Sequence, residues 1–296
     1  MPGRAATTKK SFAGYRAAGA NWITLSTGEY YPDILPEACE LYKPVLVMFG
    51  QLLKRSESSV ALFMNVSEVT QTWMRIQLAR VFRKYVCPVI SVEMLKKKTH
   101  AKKICDAFGD KFRPINEVQA AFASRPIPDE AICAVLWEYK ERGQKGYDLT
   151  DRLFSIIQKQ HGDLAITGPR GAGRDIRLGE IWSDYPNPTR PVDFIIAKGK
   201  DVLAVGLARY DSDRGGAQED DRTGGYRDCA QEILAYANKK GLRRLKVIFV
   251  NDGPGLLLGS MWTDYARIEE SGKGRIRVVT LRMVPERITR DWLVGE

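Results

Sequence analysis

The chain has 296 residues, of which 44% are hydrophobic and 28% charged, a globular balance long enough to bury a full core without disulfides or metal staples. Lysine and arginine number 46 against 36 acids, a net charge of +10, which suits a polyanionic partner because each neutralised phosphate releases counterions. Five widely spaced cysteines without a CxxC predict reduced thiols in a cytoplasmic protein, and two histidines leave zinc sites, histidine nucleases and Ser-His-Asp triads almost nothing to work with.

In chain order, Met1 to Phe12 reads as a basic, disordered arm without the apolar stretch of a signal peptide. A helix follows near Pro44 to Lys54 with Val45, Phe49, Leu52 and Leu53 inward. A longer helix spans Val66 to Val86, capped by Asn65, with Val69, Trp73, Ile76, Ala79 and Phe82 at core spacing and Arg75 left for another face. A short helix from Ser91 runs into Lys96, Lys97 and Lys98. Helix, turn, helix and basic exit is compatible with a helix-turn-helix, and equally with a solvated helix end. Further helices are expected at 116–123, Asp129 to Arg142 and Asp148 to His161, with Gly143 and Gly146 between the last two and a domain junction near 145. No apolar run is long enough to span a membrane.

The pattern then changes to β. PVDFIIA (191–197) and DVLAVGLARY (201–210) are apolar runs around a Lys198-Gly199-Lys200 turn, the signature of a hairpin. A helix fits Tyr226 to Lys240 with Gly241 as its stop, and KVIFVN (246–251) and IRVVTL (276–281) are two more strands. The expected architecture is α/β, a mixed sheet flanked by helices over 146–296, preceded by a mainly helical region over 1–145. Trp262, Tyr265 and Trp292 are expected in the core or at a subunit contact.

Phosphodiester hydrolysis without histidine relies on carboxylates that hold a divalent cation, with a nearby cation to steady the developing charge. Strand alternation places Leu207, Arg209 and Asp211 on one face, onto which Asp193 converges if the hairpin register allows. Pro191-Val192-Asp193, a turn, and Leu207-Ala208-Arg209 ending an apolar strand resemble the PD-(D/E)xK motif of type II restriction endonucleases, and the flanking order of helix, hairpin, helix and strand resembles that family's core over roughly residues 148–281. The resemblance implies a restriction-endonuclease-like core and a sequence-specific cut in double-stranded DNA. It further implies Mg2+ bound by Asp193, Arg209 in place of the usual lysine, and a homodimer. Leu207 stands where the second acid belongs, and leucine binds no metal. Either the acid comes from elsewhere (Asp211, Asp213 or Glu180), or the chain is an inactivated form, or the register is displaced; Asp211, on the same face, is the preferred substitute.

Two loops supply candidate DNA contacts. GPRGAGRDIR (168–177) carries Arg170 and Arg174. RYDSDRGGAQEDDRTGGYRD (209–228) packs six acids, four arginines and four glycines, with Arg214, Arg222 and Arg227 suited to phosphates or guanine edges. With Arg75, Lys97 and Lys98, these are the expected DNA-binding residues. The alternative is a DNA-binding protein without catalysis that uses the helix-turn-helix-like region.

Overall fold

The computed structural model describes residues 10–25, 30–92, 95, 99–171, 173–212 and 217–295, with the backbone alone described for 141–144 and 217–222. The chain divides into two compact units, Gly28–Arg142 and a second formed by Met1–Thr27 with Gly143–Glu296, each built on its own hydrophobic core.

The first unit is helical among its described residues: α2 (Leu35–Lys54), α3 (Ser59–Ser67), α4 (Thr72–Tyr85), α5 (His100–Phe108) and α6 (Ile115–Ala123). Val45, Phe49, Leu52 and Leu53 are buried on α2 as their spacing predicts. The helix expected over Val66 to Val86 begins later, as α4, and Val66 and Ser67 instead close α3. Ser58 caps α3 by accepting the Ala61 N–H at 3.0 Å, and Asn65 instead donates to the Ser56 hydroxyl. At the break before α4 the carbonyls of Val69 and Thr70 take the Arg75 guanidinium at 2.6 and 3.3 Å, which satisfies groups a continuous helix would have bonded itself. The helix expected from Ser91, with Lys97 and Lys98, lies largely outside the described residues.

Helix α7 (Glu130–Gln160) is continuous where two helices were expected. Its Gly143 and Gly146 each cost about 1 kcal/mol relative to alanine, but apolar residues anchor both flanks. Cys133, Leu136 and Trp137 belong to one core, and Leu149, Leu153, Phe154 and Ile157 to the other.

The second unit holds a five-stranded sheet in the order β1 (Ala165–Thr167), β4 (Phe194–Lys198), β5 (Asp201–Tyr210), β6 (Lys246–Asp252), β7 (Ile276–Val279). Pairings β1–β4 and β4–β5 are antiparallel, and β5–β6 and β6–β7 are parallel. A separate two-stranded ladder pairs β2 (Ile176–Arg177) with β3 (Pro191–Val192). The hairpin turn at Gly199 uses φ +61°, open to glycine at no steric cost. Helix α9 (Ala217–Lys239) supplies the crossover to β6, so most of the segment expected to loop after β5 is helical, and Gly241 at φ +71° ends it. On one face Phe154 of α7 packs edge-on to Phe194; on the other Tyr226 of α9 and Tyr265 of α10 (Met261–Ser271) pack on Phe249. Trp262, Tyr265 and Trp292 are buried, as expected. All five cysteines are free thiols. Among the described residues no helix is long and apolar enough to cross a membrane.

The N-terminal arm ends sooner than its composition suggests. Phe12 opens a 3-10 turn (Phe12–Ala18), is fully buried, and stacks on Trp262 at 4.5 Å between centroids. Its N–H donates to Glu269 Oε1 at 2.8 Å, and Trp262 Nε1 donates to its carbonyl at 3.1 Å. The boundary therefore differs from 1–145: the described part of residues 1–27 belongs to the sheet-bearing unit because its aromatic anchors lie there. Phe12→Ala is expected to cost about 3–5 kcal/mol in urea unfolding of the sheet-bearing unit; an unchanged midpoint would contradict this docking.

Candidate active site

The antiparallel ladder begins where Phe194 pairs with Gly206, and Asp193 lies just before it, in the bend between β3 and β4. The Asp193 N–H donates to the Gly206 carbonyl at 2.9 Å, and its Oδ2 accepts the Ala208 N–H at 2.7 Å. Burial pushes the Asp193 carboxyl up to about 6; the Ala208 N–H opposes this and the charge of Asp175 adds to it.

Arg209 and Asp211 share the face that alternation predicts. Arg209 Nε donates to Asp211 Oδ1 at 2.6 Å, with Asp211 buried and Arg209 about a third exposed. Burial works against the Arg209 charge, but the bond to Asp211 and the charges of Asp211 and Tyr226 outweigh it and raise its pKa. Asp211 is also locked through its backbone. Its N–H donates to the Asp252 carbonyl at 2.8 Å and its carbonyl accepts the Gly255 N–H at 2.9 Å. Gly253, at φ +105°, passes so close that a Cβ there would lie 2.3 Å from the Asp211 carbonyl oxygen.

Tyr226 joins these groups from α9. Burial raises its phenol pKa, the Arg209 cation opposes that rise through charge and a hydrogen bond, and the Asp193 and Asp211 carboxylates add to it. Tyr226 thus responds to Arg209, Asp193 and Asp211, while Arg209 and Asp211 bond to each other. Leu207 lies half-buried against the core and brings no ligand atom.

The remaining expected residues sort differently. Glu180, exposed on the short helix α8 (Leu178–Ile181), accepts the Arg177 N–H at 3.4 Å and pairs with Arg174, so its carboxylate serves that turn. Arg170 is exposed with its guanidinium 5.3 Å from the Phe154 ring centroid. Arg227 is exposed and lines a small pocket with Thr223, Gly224, Asp264 and Arg267. Arg75 is a correction. It is 4% exposed and donates to the carbonyls of Val69, Thr70 and Leu95, so its fork stabilises a helix junction and is not presented to a phosphate. Asp213, Arg214, Lys97, Lys98 and the Arg222 side chain lie outside the described residues.

Sequence reasoning missed Asp175. Ladder pairs Ile176–Val192 and Arg177–Pro191, continued by one residue, set Asp175 opposite Asp193. It sits inside a segment whose glycines and arginines drew attention instead. It also missed Asn251 and Thr280. Arg209 pairs with Asn251 across β5–β6, and Val250 with Val279 across β6–β7, so the next step brings Asn251 beside Thr280. Both are buried, and both amide atoms of Asn251 and the Thr280 hydroxyl lack hydrogen-bond partners among the described residues. An amide closing the apolar run KVIFVN was the available signal. Among the described residues no group of three or more histidine, cysteine or carboxylate side chains is arranged to hold a metal ion.

Comparisons with protein families, curated proteins and solved structures find no match to this chain.

A carboxyl raised by burial favours the folded state only while protonated. That contribution is present below pH about 4 and is lost as pH rises through about 6. Asp193→Asn stays neutral and can still accept the Ala208 N–H. In chelator it is expected to match the parent's stability at pH 4 and exceed it by about 1–3 kcal/mol at pH 7. A stability difference that does not vary with pH would contradict the buried, raised carboxyl.

Proposed function

We propose that the chain is a metal-dependent endodeoxyribonuclease that cuts double-stranded DNA at specific sequences, in the manner of type II restriction enzymes. One observation carries the reading: Asp193, from the bend before β4, and the Arg209–Asp211 pair at the end of β5 all act on Tyr226. The order of α7, antiparallel strands β1, β4 and β5, crossover helix α9 and parallel strand β6 supports a restriction-endonuclease-like core.

Asp193 and Asp175 offer oxygen donors only. That set fits Mg2+, which takes one or two carboxylates and keeps several waters. When bound, Mg2+ supplies an activated water and neutralises charge that builds on the phosphate. Asp193 would hold the cation, with its Oδ2 steadied by the Ala208 N–H. Asp175 takes the role of the acid missing at Leu207, in preference to Glu180, which Arg174 holds, and to Asp211, which Arg209 holds. Asp211 orients the guanidinium, and Arg209 presents a fixed cation to the non-bridging oxygens as the fifth bond forms at phosphorus. A twofold-symmetric cut calls for a homodimer in the cytoplasm, with exposed Arg170 and Arg227 contacting DNA.

The parent, incubated with long mixed-sequence DNA and Mg2+, is expected to give discrete bands on a gel. Asp193→Ala is expected to slow cutting at least about 100-fold, and Asp175→Asn to slow it in the same direction. Bands from Leu207→Glu alone would identify an inactivated nuclease. The absence of cutting by both, with metal-free DNA binding retained, would replace this reading with that of a DNA-binding protein, which the apolar Leu207 favours.

A further inference from the structure

The N-terminal ends of β6 and β7 form a pole of positive charge that the candidate active site does not use. The stretches 239–246 (KKGLRRLK) and 273–277 (KGRIR) carry five and three cations and no acid. Parallel pairing brings them together: Val247 pairs with Ile276, the Val247 N–H donates to the Arg275 carbonyl at 2.9 Å, and Arg275 Nε donates to the Leu245 carbonyl at 3.1 Å. Arg243 and Lys273 are exposed at the rim.

The inner cations are bonded to neutral groups. Arg275 donates to Asn238 Oδ1 at 2.6 Å and to the backbone. Lys246 and Arg277 lie 5.5 and 4.4 Å from the Trp292 ring centroid. Burial pushes the Lys246 pKa down, and the charges of Arg275 and Arg277 push it further. Burial, then the charge of Arg287, lowers Arg277 to about 10, against the opposing charge of Glu269. Arg277 Nη1 is buried without a hydrogen-bond partner among the described residues, in the wall of a cavity of about 610 Å3 shared with Trp292, Gly274 and Lys10.

Three acids line that cavity, Glu269, Glu286 and the exposed Glu270. Glu269 takes the Arg287 guanidinium through both oxygens at 2.7 and 2.8 Å, and the N–H groups of Phe12 and Val278; Glu286 accepts the Tyr15 hydroxyl. At the rim Lys240 pairs with Asp184. Cations that repel one another, one with an unsatisfied buried donor, are stabilised by an incoming anion.

We propose that this pole is a second nucleic-acid contact, in which Arg277 at the cavity wall takes a backbone phosphate and Arg243 and Lys273 at the rim take its neighbours. It is separate from the Asp193 site: Lys246 and Asn251, at opposite ends of β6, are about 16 Å apart at 3.3 Å per residue. The proposal rests on the nuclease reading for its partner class only, not for catalysis.

The test is binding of a 30-base-pair duplex, in chelator, over a range of salt, by the full chain and three variants. Arg243→Glu with Lys273→Glu changes exposed residues and is expected to weaken binding at least about 10-fold and to lower the slope of log K against log salt by about two. Arg277→Gln is expected to weaken it in the same direction. Asp193→Ala removes no cation and is expected to lose cutting with Mg2+ while keeping the parent's slope of log K against log salt, so loss of cutting and loss of this contact are told apart. Parent-like affinity and slope in the double variant would overturn the proposal. So would binding of the parent to phosphatidylserine vesicles but not to duplex.

Discussion

The ring of Phe194 fills the space that a side chain at position 206 would need. A Cβ on Gly206 would lie 2.0 Å from that ring, so only glycine lets β4 and β5 pair in this register. A slip of one residue exchanges the two faces of a strand, and here it would move Asp193 from the α9 side to the α7 side. With Phe194 buried against Phe154, Asp193 faces the opposite way, bonded to the Ala208 N–H and level with Arg209, Asp211 and Tyr226. The polar constellation is thus a consequence of an apolar contact on the other side of the sheet.

That constellation runs against stability. A carboxyl raised by burial, and a buried amide and hydroxyl without partners among the described residues at Asn251 and Thr280, are each costly to fold around. The scaffold offsets this with groups that are fully bonded. Asp252, buried at the end of β6, accepts the N–H groups of Thr24, Gly253 and Leu281 at 2.8, 2.8 and 2.9 Å and so ties three segments together beside the site. Burial raises its carboxyl pKa while those three bonds pull it down.

The strands were legible because their signals are local. The β-branched runs at 201–210 and 246–251, and the glycine turn between β4 and β5, give their type and nearly their bounds. Alternation put Leu207, Arg209 and Asp211 on one face; the motif roles of Asp193, Leu207 and Arg209 came from the resemblance, with the hairpin register assumed. Asp175 was not legible, because β2 is only two residues long and its partner is set by the chain's path, not by its own pattern. Phe12 was hidden in a basic segment whose single aromatic finds its partner 250 residues on, and the break between α3 and α4 depends on where the Arg75 guanidinium goes. The basic pole was visible as two charge runs, but their convergence needed the β6–β7 pairing.

On the proposed function, Asp193 and Asp175 together hold a divalent cation. Calorimetric titration of Ca2+, a hard cation with the same preference for oxygen donors, into the parent, Asp193→Asn and Asp175→Asn tests it without requiring turnover. The account predicts a saturable site in the parent that both variants weaken at least about 10-fold. Binding unchanged by either substitution, or no saturable binding by the parent with duplex DNA present, would contradict it.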